Sequence, residues 1–356
     1  MADDSDVLLE LDPILEAEDL TVSPWNEDTR AYEPNLDLAR RILTVPVEQG
    51  QARKQQSGRV AKALDAWIAH ELRRAGFPTS AVWPRASRPR VLPPDLEPVE
   101  DAVAVALQRL DGVIERLEKY GTHAEKKGVK GAVPSLKNTR SAVAKILKTG
   151  KNNPLPGYSA ANILGRFYVK QVDVAVSSWE HGPDVLISTK TQFSSYLNNK
   201  NNRYEEAVGE ATNLRARHPM AAMGFVYVVR TNVYDQKYAF AYLRDLLSRL
   251  RKPDGPFDAT MLLAASWTDP WDGVKKDDRD KTAFPTFKDI EDATPLLASG
   301  KFFEDLLRAV TTNTPVDRHV GIRDLLPDEK PPGGLPPEEA ALTPDPDPAL
   351  KEEDST

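Results

Sequence analysis

The sequence predicts an α/β protein, a mixed β-sheet core flanked by helices behind a helical N-terminal part. Three observations predict it. From Gly157 the apolar residues stop recurring at helical spacing and begin to alternate, as in "GRFYVKQVDVAVSS" and "PDVLISTKTQF". "MAAMGFVYVVRT" is apolar almost throughout, which indicates a strand covered on both faces. Elements after 157 then follow the order strand, strand, helix, strand, helix, strand, helix, the order of a sheet with helical crossovers.

Residues 1–50 are acidic and read as an arm with one short helix, "NLDLARRIL". A longer helix starts near Ser57, with Val60, Leu64, Trp67, Ile68 and Leu72 on one face and Gly76 as its stop. Proline and arginine break the next stretch, which leaves room for a short strand at Ala81–Trp83. "PVEDAVAVALQRLDGVIERLEKYG" places Val103, Leu107, Leu110 and Ile114 on one helical face. "SLKNTRSAVAKILKTG" is a third helix, basic around an apolar stripe. The turn "WEHG" joins the first two core strands. "NNRYEEAVGEATNLRAR", "YAFAYLRDLLSRLR" and "GKFFEDLLRAVTTN" are the core helices, and "ATMLLAASW" is the fourth strand. Trp267 and Trp271 fall where they would cap the core after that strand. The chain divides into an acidic arm (1–50), a mainly helical basic region (51–156), an α/β core (157–324) and an acidic proline-rich tail (325–356) that reads as disordered.

Composition excludes several functions. With no cysteine among 356 residues, disulfides, zinc–thiolate sites and cysteine nucleophiles are ruled out. The acidic N-terminus lacks signal-peptide order, and no apolar run reaches the ~18 residues of a membrane span. A cytoplasmic protein is expected. The five histidines have no metal-ligand spacing, and neither Gly-x-Ser-x-Gly nor a phosphate-binding Gly-x-x-x-x-Gly-Lys loop occurs. A net charge of −7 argues against a polyanionic partner only until it is resolved along the chain. Residues 52–90 and 117–153 each carry nine Lys/Arg against two acids, whereas the last thirty carry nine acids against two lysines. Local charge governs partner choice. The basic helices at 57–76 and 135–149, with Lys137 and Arg140, and the arginine-rich stretch 84–90 are therefore expected to track phosphates.

The chemistry centres on Lys190. Side chains alternate along a strand, so Asp184, Leu186, Ser188 and Lys190 share one face and Val185, Ile187 and Thr189 the other. Asp173 is a lone carboxylate between Val172 and Val174 on the preceding strand. A hairpin of the two strands brings it beside Ser188 and Lys190, and the following helix offers Glu205, Glu206 and Glu210. At ~100° per residue, Tyr204, Ala207, Val208, Ala211 and Leu214 form that helix's buried stripe. Glu210 borders it, Glu206 lies on the same flank and Glu205 points elsewhere. Phosphodiester cleavage needs such parts: hard oxygen ligands for a divalent ion, and a cation to stabilise charge at phosphorus. Gln192, on the lysine's face, and the loop residues Ser194, Ser195, Asn198, Lys200, Asn202 and Arg203 carry groups that suit phosphates and base edges.

The arrangement resembles the PD-(D/E)XK, or restriction-endonuclease-like, nucleases. The strand triplet is Ser188-Thr189-Lys190, with serine where that family usually has an acid. Restriction enzymes that cut around a CCGG core are similar: they carry Ser-x-Lys on the strand and take the missing carboxylate from the next helix. Their Asn-x-Arg-x-Glu-Ala-x-Asn-Leu run is matched here in two pieces, Arg203–Glu205 and Glu210–Leu214. The resemblance implies a Mg²⁺-dependent type II restriction endonuclease, with Mn²⁺ able to substitute. Lys190 and Ser188 are then catalytic and Asp173, Glu206 and Glu210 metal ligands, with Asp184 an alternative first acid. It also implies double-stranded DNA as substrate, a homodimer that matches a palindromic site and a cognate DNA methyltransferase in the host. Two other readings stay open: an inactive nucleic-acid-binding protein on the same fold, and a defence or repair nuclease without a fixed site.

Overall fold

The computed structural model describes residues 5–49, 57–84, 97–121, 133–141, 161–178, 180–198, 200–253, 255–271, 274 and 283–326. The arginine-rich stretch 85–90 and the tail from 327 lie outside them.

A six-stranded mixed sheet forms the centre, in the order β1-β4-β5-β6-β7-β8. Its strands are β1 (Val82–Trp83), β4 (Val174–Ser178), β5 (Gly182–Gln192), β6 (Ala222–Arg230), β7 (Ala259–Thr268) and β8 (Thr286–Asp292). The β5–β6 and β6–β7 pairs are parallel, and the β1–β4, β4–β5 and β7–β8 pairs are antiparallel. Two further strands, β2 (Ala161–Leu164) and β3 (Val169–Val172), pair antiparallel with each other as a separate ribbon. The expected first core strand, 165–178, is thus broken. Asp173 sits at the break, between the ribbon and the main sheet.

Helices cover both faces. On one side lie α1 (Ser5–Glu16), α2 (Leu36–Glu48), α3 (Ser57–Arg74) and α8 (Ser299–Asn313), against Val174, Ile187, Val226 and Leu263. On the other lie α6 (Lys200–Arg215) and α7 (Lys237–Leu250), against Leu186, Met223, Phe225 and Leu262. Parallel strands buried on both sides need apolar residues at every position, and the first eight of the nine residues of β6 are buried. Gly224 has no side chain because a Cβ there would stand 2.8 Å from the Phe302 ring of α8. Trp267 and Trp271 are buried as expected. The short helix α9 (Val320–Leu325) follows α8, while α4 (Glu97–Gly121) and the helical stretch 133–141 (α5) precede the ribbon.

Two expectations are corrected. Residues 5–49 are not a loose arm: Leu11, Leu38, Ala39, Ile42, Leu43 and Val47 are buried in the main core. Nor is α3 a phosphate tracker. Its residues from Ala63 to Leu72 are buried, and its charges are used internally. Lys62 pairs with Asp65 at 2.9 Å and Arg74 with Glu71 at 2.8 Å. Arg73 donates to the carbonyls of Val82 and Pro84 at 3.0 and 2.9 Å, which ties α3 to β1. A helix's net charge does not tell which of its faces is buried. Among the described residues, no helix is long and apolar enough to cross a membrane.

Candidate active site

Register brings the expected residues together. Val174 opposes Ile187 across the antiparallel β4–β5 pair, so the residue before Val174 meets the one after Ile187. Asp173 Oδ2 accepts the backbone N–H of Thr189 at 2.9 Å and lies 3.5 Å from Ser188 Oγ. From α6, Glu210 Oε2 accepts the Ser188 hydroxyl at 3.0 Å. Lys190 Nζ stands 2.9 Å from Glu206 Oε1 and 3.6 Å from Glu210 Oε1. Asp173, Ser188, Lys190, Glu206 and Glu210 therefore form one cluster on the α6 side of the sheet.

Packing sets the helix phase. Ala207, Ala211 and Leu214 are buried against the sheet, which turns Glu210, 6% exposed, inward beside Ser188. Glu210 is thus within the buried face, not at its border, and Tyr204, expected inside, is exposed. Glu206, one turn earlier, remains near the surface, and Glu205 is exposed. Asp184 is placed elsewhere: it is buried in an ion pair with Arg318, and His319 Nε2 is 3.3 Å away.

Electrostatics keep Lys190 charged. Burial disfavours its ammonium, but Glu210, Glu206 and Asp173 outweigh that and hold its pKa above the ordinary lysine value. Lys190 is therefore suited to stabilising negative charge and unsuited to abstracting a proton at neutral pH. Lys170 of β3, which the sequence reading missed, pairs with Glu210. A void of about 10 Å³, room for about one water, is lined by Lys170, Ser188 and Glu210 over the apolar Leu186, Leu214 and Phe257.

The reverse face of β5 carries a second set, also missed. Thr189 Oγ1 donates to Asp65 of α3 at 2.6 Å, and Asp65 is fully buried. Lys62 bonds Asp65 at 2.9 Å and lies 3.9 Å from Asp173 Oδ1. Burial pushes the Asp65 carboxyl up to about 6 against the pull of Lys62, and Asp173 adds to the rise. The available signal was an aspartate between Leu64 and Ala66 in an apolar helix, with Lys62 one turn before it, but nothing local points to Thr189 as its other partner.

The donor set for a metal is smaller than expected. Asp173 and Glu210 converge through Ser188, whereas Glu206 is directed to Lys190. Among the described residues, no three His, Cys, Asp or Glu side chains are grouped so that they could hold a metal ion. Mg²⁺ usually takes only one or two carboxylates and completes its octahedron with water and substrate oxygens, so the Asp173–Glu210 pair fits that requirement.

The expected DNA contacts separate. Gln192 is occupied within its loop: its Oε1 accepts from Tyr227 Oη at 2.5 Å, and its Nε2 donates to the Ser194 and Ser195 carbonyls at 3.3 and 2.7 Å. Tyr196 anchors the loop. It is buried, donates to Arg230 O at 3.2 Å and has its phenol pushed up to about 12 by burial. Ser194, Ser195 and Asn198 are exposed around that anchor. Lys200, Asn202 and Arg203 begin α6, with side chains outside the described set. Lys137 and Arg140 of α5 are matched to acids of α4, Glu118 at 2.5 Å and Asp111 at 2.7 Å. Comparison with protein-family models, with curated proteins and with solved structures found no match.

Proposed function

We propose that the protein is a metal-dependent endonuclease that hydrolyses phosphodiester bonds of double-stranded DNA, most simply a type II restriction enzyme of the PD-(D/E)XK kind. One observation carries the reading. An acid at the β3–β4 break, Ser-x-Lys on β5 and a buried glutamate on α6 meet within 3.6 Å of one another through Ser188 and Lys190, although they come from three places in the chain that span 38 residues.

Asp173 and Glu210 are the residues that would hold a Mg²⁺ ion, which when bound polarises a phosphoryl oxygen and lowers the pKa of its water. Ser188 donates its single hydroxyl hydrogen to Glu210 and lies 3.5 Å from Asp173, between the two carboxylates. Lys190, held protonated by its acidic neighbours, offsets the charge that develops on phosphorus. Lys170 pairs with Glu210 and would yield to a stronger cation. Ser194, Ser195 and Asn198, exposed on the loop that follows β5, would contact the duplex. The reading carries with it a homodimer, a protecting methyltransferase and a cytoplasmic setting.

The test is supercoiled plasmid incubated with Mg²⁺ or with EDTA. Cleavage that needs Mg²⁺, maps to a repeated short site and falls about 100-fold or more in Lys190→Ala is expected. No metal-dependent cleavage, or full activity in Lys190→Ala, would overturn it. Scattered cuts would favour a defence or repair nuclease. A second reading, a non-cutting DNA-binding protein on this fold, is favoured by the lysine pairs that already neutralise Glu210. DNA binding without cleavage in any divalent ion would select it.

A further inference from the structure

The β2–β3 ribbon has features that the catalytic reading leaves unused. Its sequence, "ANILGRFYVKQV", contains two cations and no acid. Among the described residues its strands pair only with each other and not with the main sheet. Its tip is apolar and exposed: Phe167 is 72% accessible, Val169 58% and Tyr168 48%. Arg166 lies over the Phe167 ring at 5.8 Å.

An isolated two-stranded hairpin is marginally stable, but this one is held. The Asn213 side chain of α6 accepts the amide of Phe167 at 2.8 Å and donates to Tyr168 O at 3.2 Å. Arg166 N–H donates to Asn213 O at 2.9 Å. Gly165 lets this contact form, since a Cβ there would stand 2.2 Å from Asn213 Nδ2. One register step from the tip, β3 supplies Lys170 to Glu210. The aromatic tip is thus fixed to the helix that carries Glu206 and Glu210. Phe167 lies three residues from Lys170, the side chain that reaches Glu210, roughly 10 Å along the ribbon and comparable to three base steps.

We infer that the β2–β3 hairpin is a wedge for DNA, with Phe167 and Tyr168 stacking on bases a few steps from the phosphodiester at Ser188 and Glu210, and Arg166 on a neighbouring phosphate. This rests on the nuclease reading above. Aromatic faces beside a guanidinium, with no acid in the segment, match the π-faces and phosphates of nucleic acid. A rigid two-stranded ribbon also fits a DNA groove.

The experiment uses the full-length chain in EDTA and a duplex carrying the mapped cleavage site, with 2-aminopurine placed at successive positions around it. The intact protein should raise the fluorescence at one or two positions as bases unstack. Phe167→Ala with Tyr168→Ala should abolish that rise and weaken binding about tenfold or more per aromatic lost. Arg166→Ala should lower the salt slope of binding by about one. All three side chains are exposed, and an unchanged melting temperature checks that the variants fold. Unaltered affinity and fluorescence in the double variant, with cleavage by the intact protein preserved, would overturn the wedge and leave the nuclease reading standing. Loss of dimer mass in the double variant, with DNA affinity per subunit kept, would make the tip a subunit contact and equally overturn it. No DNA binding or cleavage by the intact protein would remove both.

Discussion

Two carboxylates one helical turn apart have different fates. Glu210 is buried against Ser188, and Glu206 stays near solvent as a partner of Lys190. Glu210→Gln is expected to reduce divalent-ion affinity about 10–100-fold and cleavage in parallel, and Glu206→Gln to leave metal affinity within a few-fold. Isothermal titration with Mn²⁺ checks this, and equal losses in both would refute the assignment. Away from the site, His70 and Asp65 on α3 set opposing pH dependences. Burial, helped by Arg73 and Arg74, depresses the His70 imidazole to about 4. Between about pH 4 and 6.5 the unfolded chain therefore binds a proton that the folded one refuses, and stability falls as pH drops, by on the order of 3 kcal/mol at most. Asp65 is raised to about 6, so the folded form keeps a proton that the unfolded form releases, and stability falls as pH rises through the same window. Relative to the parent protein, His70→Gln should gain stability on going from pH 7 to 4.5, and Asp65→Asn should gain on going back. Urea melts at both pH values measure it; parallel shifts in the two variants would contradict it. The sequence made Asp173, Ser188 and Lys190 readable because alternation along a strand decides the face. Asp65 and Lys170 were not readable, since Thr189 and Glu210, which they meet, lie tens of residues or more away, and Lys62, though it pairs with Asp65 within its own helix, reaches Asp173 only through the fold.

At the level of elements, strands and helices with strong periodicity were foreseen, including the two-residue β1. β8 was not, because Thr286–Asp292 is mostly polar and only Phe287 and Ile290 are buried. The break at Asp173 was also hidden, since alternation runs unbroken through "YVKQVDVAV" and only the change of pairing partner reveals it. Asn213 is the element-scale device that follows from this break. It is 1% exposed and joins α6 to the ribbon. Asn213→Ala should destabilise the protein by about 1–3 kcal/mol, the cost of unsatisfied backbone groups. It should also speed amide exchange at Phe167 well beyond that of the β6 amides. Gly165→Ala should do the same by forcing the same contact apart. Exchange at Phe167 that is unchanged in both variants would show that the ribbon holds itself.

For the molecule as a whole, charge was a poor guide to architecture. The acidic first fifty residues and the basic helix after them looked peripheral, yet both build the layer that covers one face of the sheet. Burial of Leu11, Leu38, Ile42, Leu43 and Val47, at roughly 1.5–3 kcal/mol each, is comparable to the whole stability of an ordinary domain. Removal of residues 1–49 should therefore yield a protein that binds hydrophobic dyes and lacks near-UV circular dichroism; a cooperative melt in that truncation would contradict this. The bonds of Thr189 to Asp65 behind the strand, and of Ser188 to Glu210 in front, have a further consequence. If β5 slid by one position, every side chain would change sides. The hydroxyl and the amine would be driven into the apolar layer under α3, and Thr189 would be left facing the acids. The strand's phase is what brings Ser188 and Lys190 to the acids of α6, and a helix more than a hundred residues earlier in the sequence locks that phase from behind.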